Sequence, residues 1–292
     1  MSERPHWDRE GQDWPNRAAS RFEKASGLRW HVQIQGSGPV ALLVHGTGAA
    51  THSWRGVLPL LAQHFTVVAP DLPGHGFTEL PPAGVLSLPG MAKALAALLD
   101  SLALEPALCI GHSAGAAIGA RLCLDGRIAP AGLVALNGAL LPLRGFAGRY
   151  FSPAAKLLAA LPMVPSLVAW RAKDRAAIER LMAETGSRLD PVGIELYRRL
   201  MASARHVEGT IGMMANWNLD AFVRDLPKLR TALALVVGAN DRTIPPHDAQ
   251  RVKLLLPHAT IEMQAGLGHL AHEEDPATNA AAILRYANAW GV

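Results

Sequence analysis

The sequence predicts an α/β fold, a mostly parallel sheet with helices on both faces. Three observations predict it. Short continuous apolar runs recur at residues 40–44 (VALLV), 65–69, 107–110, 132–136 and 232–237, as in strands buried on both faces of a parallel sheet. Segments of helical period lie between them, notably residues 87–103 and 114–125. The two kinds of segment alternate along most of the chain, which is the order that β–α–β crossovers produce.

Taken in order, residues 28–35 (LRWHVQIQ) alternate well enough for a strand, and Gly36-Ser37-Gly38-Pro39 is a turn. The run at 40–44 ends in a glycine-containing loop, and 65–69 leads into Pro70-Asp71-Leu72-Pro73-Gly74-His75-Gly76. The run at 107–110 opens through a short turn into the helix at 114–125. After 132–136 the rhythm breaks. From about 139 to 214 there is no buried-strand run, only Pro-punctuated helical pieces carrying Phe146, Phe151, Leu157, Leu158, Met163, Trp170, Leu181, Met182, Tyr197, Met201, Met213 and Met214. An insertion of that size between sheet strands reads as a helical cap over the carboxyl edge, with a few of its side chains facing a cavity. Strands resume at 232–237 and 260–263, and a helix ends the chain. The expected organisation is an N-terminal extension (1–20), a core (21–138 and 216–292) and a cap (139–215). Trp7 and Trp14 of the extension have no partner legible in sequence.

A chain of 292 residues buries enough surface to need no staples, and 50% apolar content excludes disorder. There are 28 Lys and Arg against 24 Asp and Glu, a net +4 with pI near 9.3. No run of five or six like charges occurs, so no nucleic acid partner is expected; a mild basic excess is compatible with anionic lipid or an acidic ligand. Cys109 and Cys123 each sit in apolar company and read as inert core residues of a cytoplasmic protein. The first 17 residues are charged throughout, unlike a secretory signal, and no stretch of about 18 uncharged apolar residues suggests a transmembrane segment. The 12 histidines include no metal-binding pair on a helix, so neither a metal site nor a cofactor is expected.

The chemistry is carried by Gly111-His112-Ser113-Ala114-Gly115. A G-x-S-x-G pattern alone is common; here it follows a strand and opens a helix, the setting of a nucleophile elbow. Glycines flank the serine because side chains at Gly111 and Gly115 would meet the neighbouring strand and helix. An ordinary serine N-cap would imply nothing about the rest of the chain, yet the rest answers. His45-Gly46-Thr47-Gly48 ends the strand at 40–44, so the backbone N–H of Thr47 can pair with that of Ala114 to hold an oxyanion. Asp241 follows a buried strand at the same sheet edge, 128 residues after Ser113. His269 lies 28 residues further on, in the glycine-flanked loop Gly266-Leu267-Gly268-His269. The order Ser113, Asp241, His269 is that of an α/β-hydrolase triad. Two rivals are set aside: His272 precedes three acids and reads as the start of the last helix, solvated or paired, and Asp71 reads as holding its turn.

Together, His45-Gly46-Thr47-Gly48, Asp71-Leu72-Pro73-Gly74-His75-Gly76, Gly111-His112-Ser113-Ala114-Gly115, Gly238-Ala239-Asn240-Asp241 and Gly268-His269 resemble the α/β-hydrolase fold family over residues 20–292. The resemblance implies a mostly parallel eight-stranded sheet flanked by helices, with a helical cap inserted after the sixth strand. A narrower likeness is carried by Asp13-Trp14-Pro15-Asn16-Arg17, by residues 45–55 (HGTGAATHSWR) and by Asn137-Gly138-Ala139-Leu140-Leu141-Pro142. These resemble the magnesium-chelatase accessory proteins of bacteriochlorophyll biosynthesis clusters. That likeness implies a hydrophobic small molecule, a porphyrin or chlorophyll intermediate, as substrate, and association with tetrapyrrole biosynthesis enzymes. Three readings stay open: an esterase-type serine hydrolase, a non-catalytic tetrapyrrole-binding accessory protein, and a lyase or cofactor-free oxygenase on the same scaffold. A serine nucleophile argues against dehalogenase and epoxide hydrolase chemistry.

Overall fold

In the structure, a computed structural model that describes residues 5–142, 156 and 161–292, the apolar runs lie side by side in one sheet. Its strands are β1 (Ser20–Ala25), β2 (Leu28–Gln35), β3 (Val40–Val44), β4 (Thr66–Pro70), β5 (Pro106–His112), β6 (Gly132–Leu136), β7 (Ala232–Gly238) and β8 (Thr260–Gln264). The order is β1-β2-β4-β3-β5-β6-β7-β8. Strand β2 runs antiparallel to both its neighbours, β1 and β4; β4, β3, β5, β6, β7 and β8 pair in parallel. This is the mostly parallel eight-stranded sheet that the family resemblance implies; strand β1 is not among the runs read from the residues.

The first helices are α1 (Trp7–Glu10), α2 (Val57–Leu61), α3 (Leu88–Ser101) and α4 (Ala114–Leu124). Between β6 and β7 come α5 (Val164–Arg171), α6 (Arg175–Glu184), α7 (Pro191–Met201), α8 (Ala204–Asn216) and α9 (Asp220–Asp225). The last are α10 (Asp248–Leu255), α11 (Ala271–Glu274) and α12 (Pro276–Ala289). Alternation along each strand splits the core in two. Leu42, Val44 and Cys109 pack with α3 and α4, while Leu43, Ile110 and Val236 pack with Leu58 of α2 and Ile283 of α12 on the other face. Both cysteines are removed from chemistry: burial pushes the Cys109 thiol well up and Cys123 to about 11.

Several side chains expected in the cap, Phe146, Phe151, Leu157 and Leu158, lie outside the described residues. Of the others, Met213 is buried in the main core, while Met163 and Trp170 stand in solvent. The N-terminal tryptophans find partners in the tertiary structure. Trp14 is buried and its indole N–H donates to Thr51 Oγ1 at 3.0 Å. Trp7 packs edge-on against Phe22 and Phe77. Asp13 pairs through both oxygens with Arg199 of α7 at 2.5 and 2.7 Å, tying the N-terminal residues to the insertion.

Candidate active site

Ser113 sits where β5 turns into α4, with φ 51° and ψ −119°, a conformation that a side chain adopts only when its surroundings impose it. The surroundings do so. The Ser113 N–H donates to the Leu136 carbonyl at 3.1 Å, and its own carbonyl accepts from Ala116 and Ala139. A Cβ at Gly111 would run into the backbone of Ala116, and one at Gly115 into the Val44 carbonyl. The β3 loop closes on the same turn, since a Cβ at Gly46 would lie 3.0 Å from Ser113 Cβ. Thr47, Ser113, Ala114 and His269 line one cavity of about 570 Å³, within the range of small-molecule sites. Among the described residues the Thr47 and Ala114 N–H groups have no acceptor.

Asp241 and His269 come from the loops after β7 and β8. His269 Nδ1 lies 2.8 Å from Asp241 Oδ2, with both side chains buried. The other oxygen, Oδ1, accepts the N–H groups of Thr243 and Ile244, each at 2.8 Å. Asn137, just beyond β6 with φ 47°, donates to Oδ2 at 2.7 Å and to the Gly268 carbonyl at 3.3 Å. These donors orient the carboxylate, so the His269 Nδ1–H points at it and Nε2 is left free to accept. The Ser113 hydroxyl and His269 are not hydrogen-bonded to each other; they line the same cavity, and such pairs commonly align only around substrate.

Three further histidines hold the loops. His45 donates from Nδ1 to Gly46 O at 2.8 Å and accepts the Leu72 N–H on Nε2 at 2.9 Å, while burial lowers its pKa. It is thus neutral and locks the Thr47 loop. His112 donates to the His269 carbonyl at 2.9 Å, and burial pushes it well down. His206, from α8, accepts the Gly76 N–H and donates to the Gly48 carbonyl, each at 3.0 Å, with burial holding it at about 4. His272 corrects the sequence reading. It is fully buried, its pKa is driven down by burial to about 3, and neither ring nitrogen has a hydrogen-bond partner among the described residues. The turn that places His269 carries it inward, against His112 and Trp54.

Asp71 holds its loop, as read from sequence. It accepts from Thr51 N, Phe77 N and His31 Nδ1 at 2.7, 2.9 and 2.8 Å. Burial alone would raise its pKa, yet His31 and the Phe77 amide hold it well below the carboxylate range.

The insertion supplies the outer wall of the cavity through Leu181, Met182, Tyr197, Met201 and Met214, and it clamps the acid and base loops. The Thr185 carbonyl accepts from Arg242 N and His269 N, and Ser187 Oγ accepts from Leu270 N at 2.8 Å. Behind Tyr197, its hydroxyl donates to Glu273, which also pairs with Arg55. Burial nonetheless pushes the Glu273 carboxyl up to about 7. Asn137, His206, Ser187 and Glu273 were not legible as site residues; only Asn137 gave a signal, as a polar residue closing a buried strand.

Fold and site geometry define a class of protein. Residues 41–282 match the Alpha/beta hydrolase family, and the chain belongs to it. Within that class it is 38% identical over 263 residues to a protein of Rhodobacter capsulatus named magnesium-chelatase 30 kDa subunit, covering 89% of this chain and 92% of that one. The narrower likeness read from the sequence therefore holds. Among solved structures, an α/β hydrolase fold protein from Burkholderia ambifaria superposes with a TM-score of 0.77 at 24% identity, covering 91% and 97% of the two chains. A thermophilic esterase from Thermogutta terrifontis gives 0.72 at 23% identity, covering 94% and 99%. At these identities the structural neighbours speak for the fold alone.

Proposed function

We propose that the chain is a serine hydrolase acting on an ester or related carbonyl, with Ser113 as nucleophile, His269 as base and Asp241 as its orienting acid. The observation that carries this reading is the His269–Asp241 pair at 2.8 Å opening on the cavity that the strained Ser113 turn also faces. Ser113 Oγ attacks the carbonyl carbon and its proton passes to His269 Nε2, while Asp241 stabilises the imidazolium. The N–H groups of Thr47 and Ala114 hold the oxyanion. On collapse the leaving alcohol takes the proton from His269. Water, deprotonated by His269, then releases the acid and restores Ser113.

The insertion over residues 139–215 serves as the cap of this site, and the protein works in the cytoplasm; no helix among the described residues is long and apolar enough to cross a membrane. The substrate is an apolar small molecule, and we favour an esterified tetrapyrrole. A mostly apolar cavity and the identity with the chelatase subunit support that choice. The name of that relative also favours a second reading, in which the cavity binds a tetrapyrrole for the chelatase without turnover.

Labelling by a fluorophosphonate tests the first reading: the wild type is labelled and S113A is not. A folded wild type that resists the reagent, yet quenches the fluorescence of protoporphyrin monomethyl ester on binding, would replace it by the second.

A further inference from the structure

Eight large apolar side chains stand exposed among the described residues, and six of them belong to the insertion. Met163, Leu167 and Trp170 are 82, 63 and 65% exposed, and their spacing of four and three residues puts them on one side of α5 and its N-cap. The other side of α5 is already used: Val164, Val168 and Ala169 pack on Val207 and Ile211 of α8. A surface helix ordinarily turns polar residues outward. This one is apolar on both sides, so it is shaped for a second apolar neighbour.

Charge says which neighbour. The cations of the chain form no run, but their distribution against the acids is uneven. Residues 139–173 contain Arg144, Arg149, Lys156, Arg171 and Lys173 and no Asp or Glu. Of the 28 Lys and Arg, the other 23 are balanced by all 24 Asp and Glu. The whole net positive charge of the protein therefore belongs to the stretch of sequence that includes the apolar side of α5. Asp174 pairs with Arg171 at 2.6 Å and cancels one of these charges, and the stretch extended through Asp174 still carries +4, the net charge of the whole chain. An apolar stripe with a tryptophan, bordered by the exposed Arg171 and Lys173, matches the boundary between lipid headgroups and acyl chains of an anionic bilayer. The stripe also lies close over the cavity, because Met201 and Met214 pack beneath α5 and line the cavity wall.

We infer that the outer side of α5 docks on anionic membrane surfaces, so that the cavity beneath it exchanges an apolar ligand with the lipid phase. The ligand exchange rests on the function proposed above; the docking does not. The test is co-sedimentation of the full chain with vesicles of phosphatidylcholine alone or mixed with about an equal part of phosphatidylglycerol. The protein is expected to sediment with the mixed vesicles and to be released by salt. L167E/W170E should lower the bound fraction at least about tenfold while keeping the melting temperature and fluorophosphonate labelling of the wild type. R171Q/K173Q, which leaves the apolar packing untouched, should lower it by about fivefold per cation, the equivalent of roughly 1 kcal/mol each.

S113A should bind vesicles as the wild type does, so a failed hydrolase mechanism leaves this result standing. Equal binding to both vesicle types, no binding, or full binding by L167E/W170E would overturn the inference. So would a dimer that L167E/W170E dissociates in the absence of vesicle binding, since a second copy would then be the occupant.

Discussion

Replacing Asp241 by asparagine separates the chemistry of the triad from its architecture. The carboxylate is surrounded by four donors: Thr243 N and Ile244 N on Oδ1, Asn137 Nδ2 and His269 Nδ1 on Oδ2. In D241N one oxygen remains, and it stays with the two backbone amides, which cannot turn over. The new amide nitrogen then occupies the position of Oδ2. Asn137 can accommodate it by rotating its own amide, because its Oδ1 has no present partner among the described residues; the cost is the 3.3 Å bond to Gly268. His269 has no such escape. It must accept on Nδ1 and carry its proton on Nε2, the tautomer that cannot take a proton from Ser113.

The structural cost of D241N is thus a weak hydrogen bond and one charge-assisted bond, about 1–3 kcal/mol, a few degrees in Tm. The catalytic cost is of order 10⁴ in kcat. Hydrolysis of a short-chain p-nitrophenyl ester and a thermal melt, run side by side, measure both. If D241N keeps more than about a tenth of wild-type kcat, the assignment of Asp241 as the orienting acid is wrong.

Two further predictions come from the buried ionisable groups. H206A leaves the Gly76 N–H and the Gly48 carbonyl without partners, costing about 1–3 kcal/mol for each, and loosens the loop that offers Thr47. We expect kcat to fall about 10- to 100-fold with KM nearly unchanged and H206Q to recover part of it; a loss carried by KM would place His206 outside oxyanion positioning. Burial raises Glu273 from its ordinary 4.5 to about 7, so the folded protein retains a proton that the unfolded chain has already released. The resulting stability is complete below pH 4.5 and is lost as pH rises through 7. Relative to E273Q, the wild type should lose roughly 3 kcal/mol between pH 4.5 and 8. Urea midpoints at a series of pH values measure this, and parallel profiles for the two proteins would refute it.

The sequence by itself determined the central strands of the sheet and the elbow, because each is written in adjacent residues. A buried parallel strand must be apolar on both faces, so β3, β5, β6 and β7 appear as unbroken runs. The serine turn must carry Gly111 and Gly115, because backbone passes where their side chains would stand. Other features depend on residues far apart in the chain, and only the tertiary structure decided them. Strand β1 (SRFEKA) is an edge strand with one buried residue, so it lacks an apolar run and takes its identity from pairing with β2.

Asn137 reaches Asp241 across 104 residues, His206 reaches Gly76 across 130, and Trp14 reaches Thr51 across 37. No local pattern marks these pairs, since a helix period or a strand end looks the same whether its polar residue meets solvent or a partner. His272 is the sharpest case. Three acids follow it in sequence, which suggests a wet helix start, yet the turn that presents His269 to the cavity carries His272 into the core. Backbone direction at a turn is set by the packing of whole elements, and that direction decides which of two neighbouring histidines faces the cavity and which is sealed behind it.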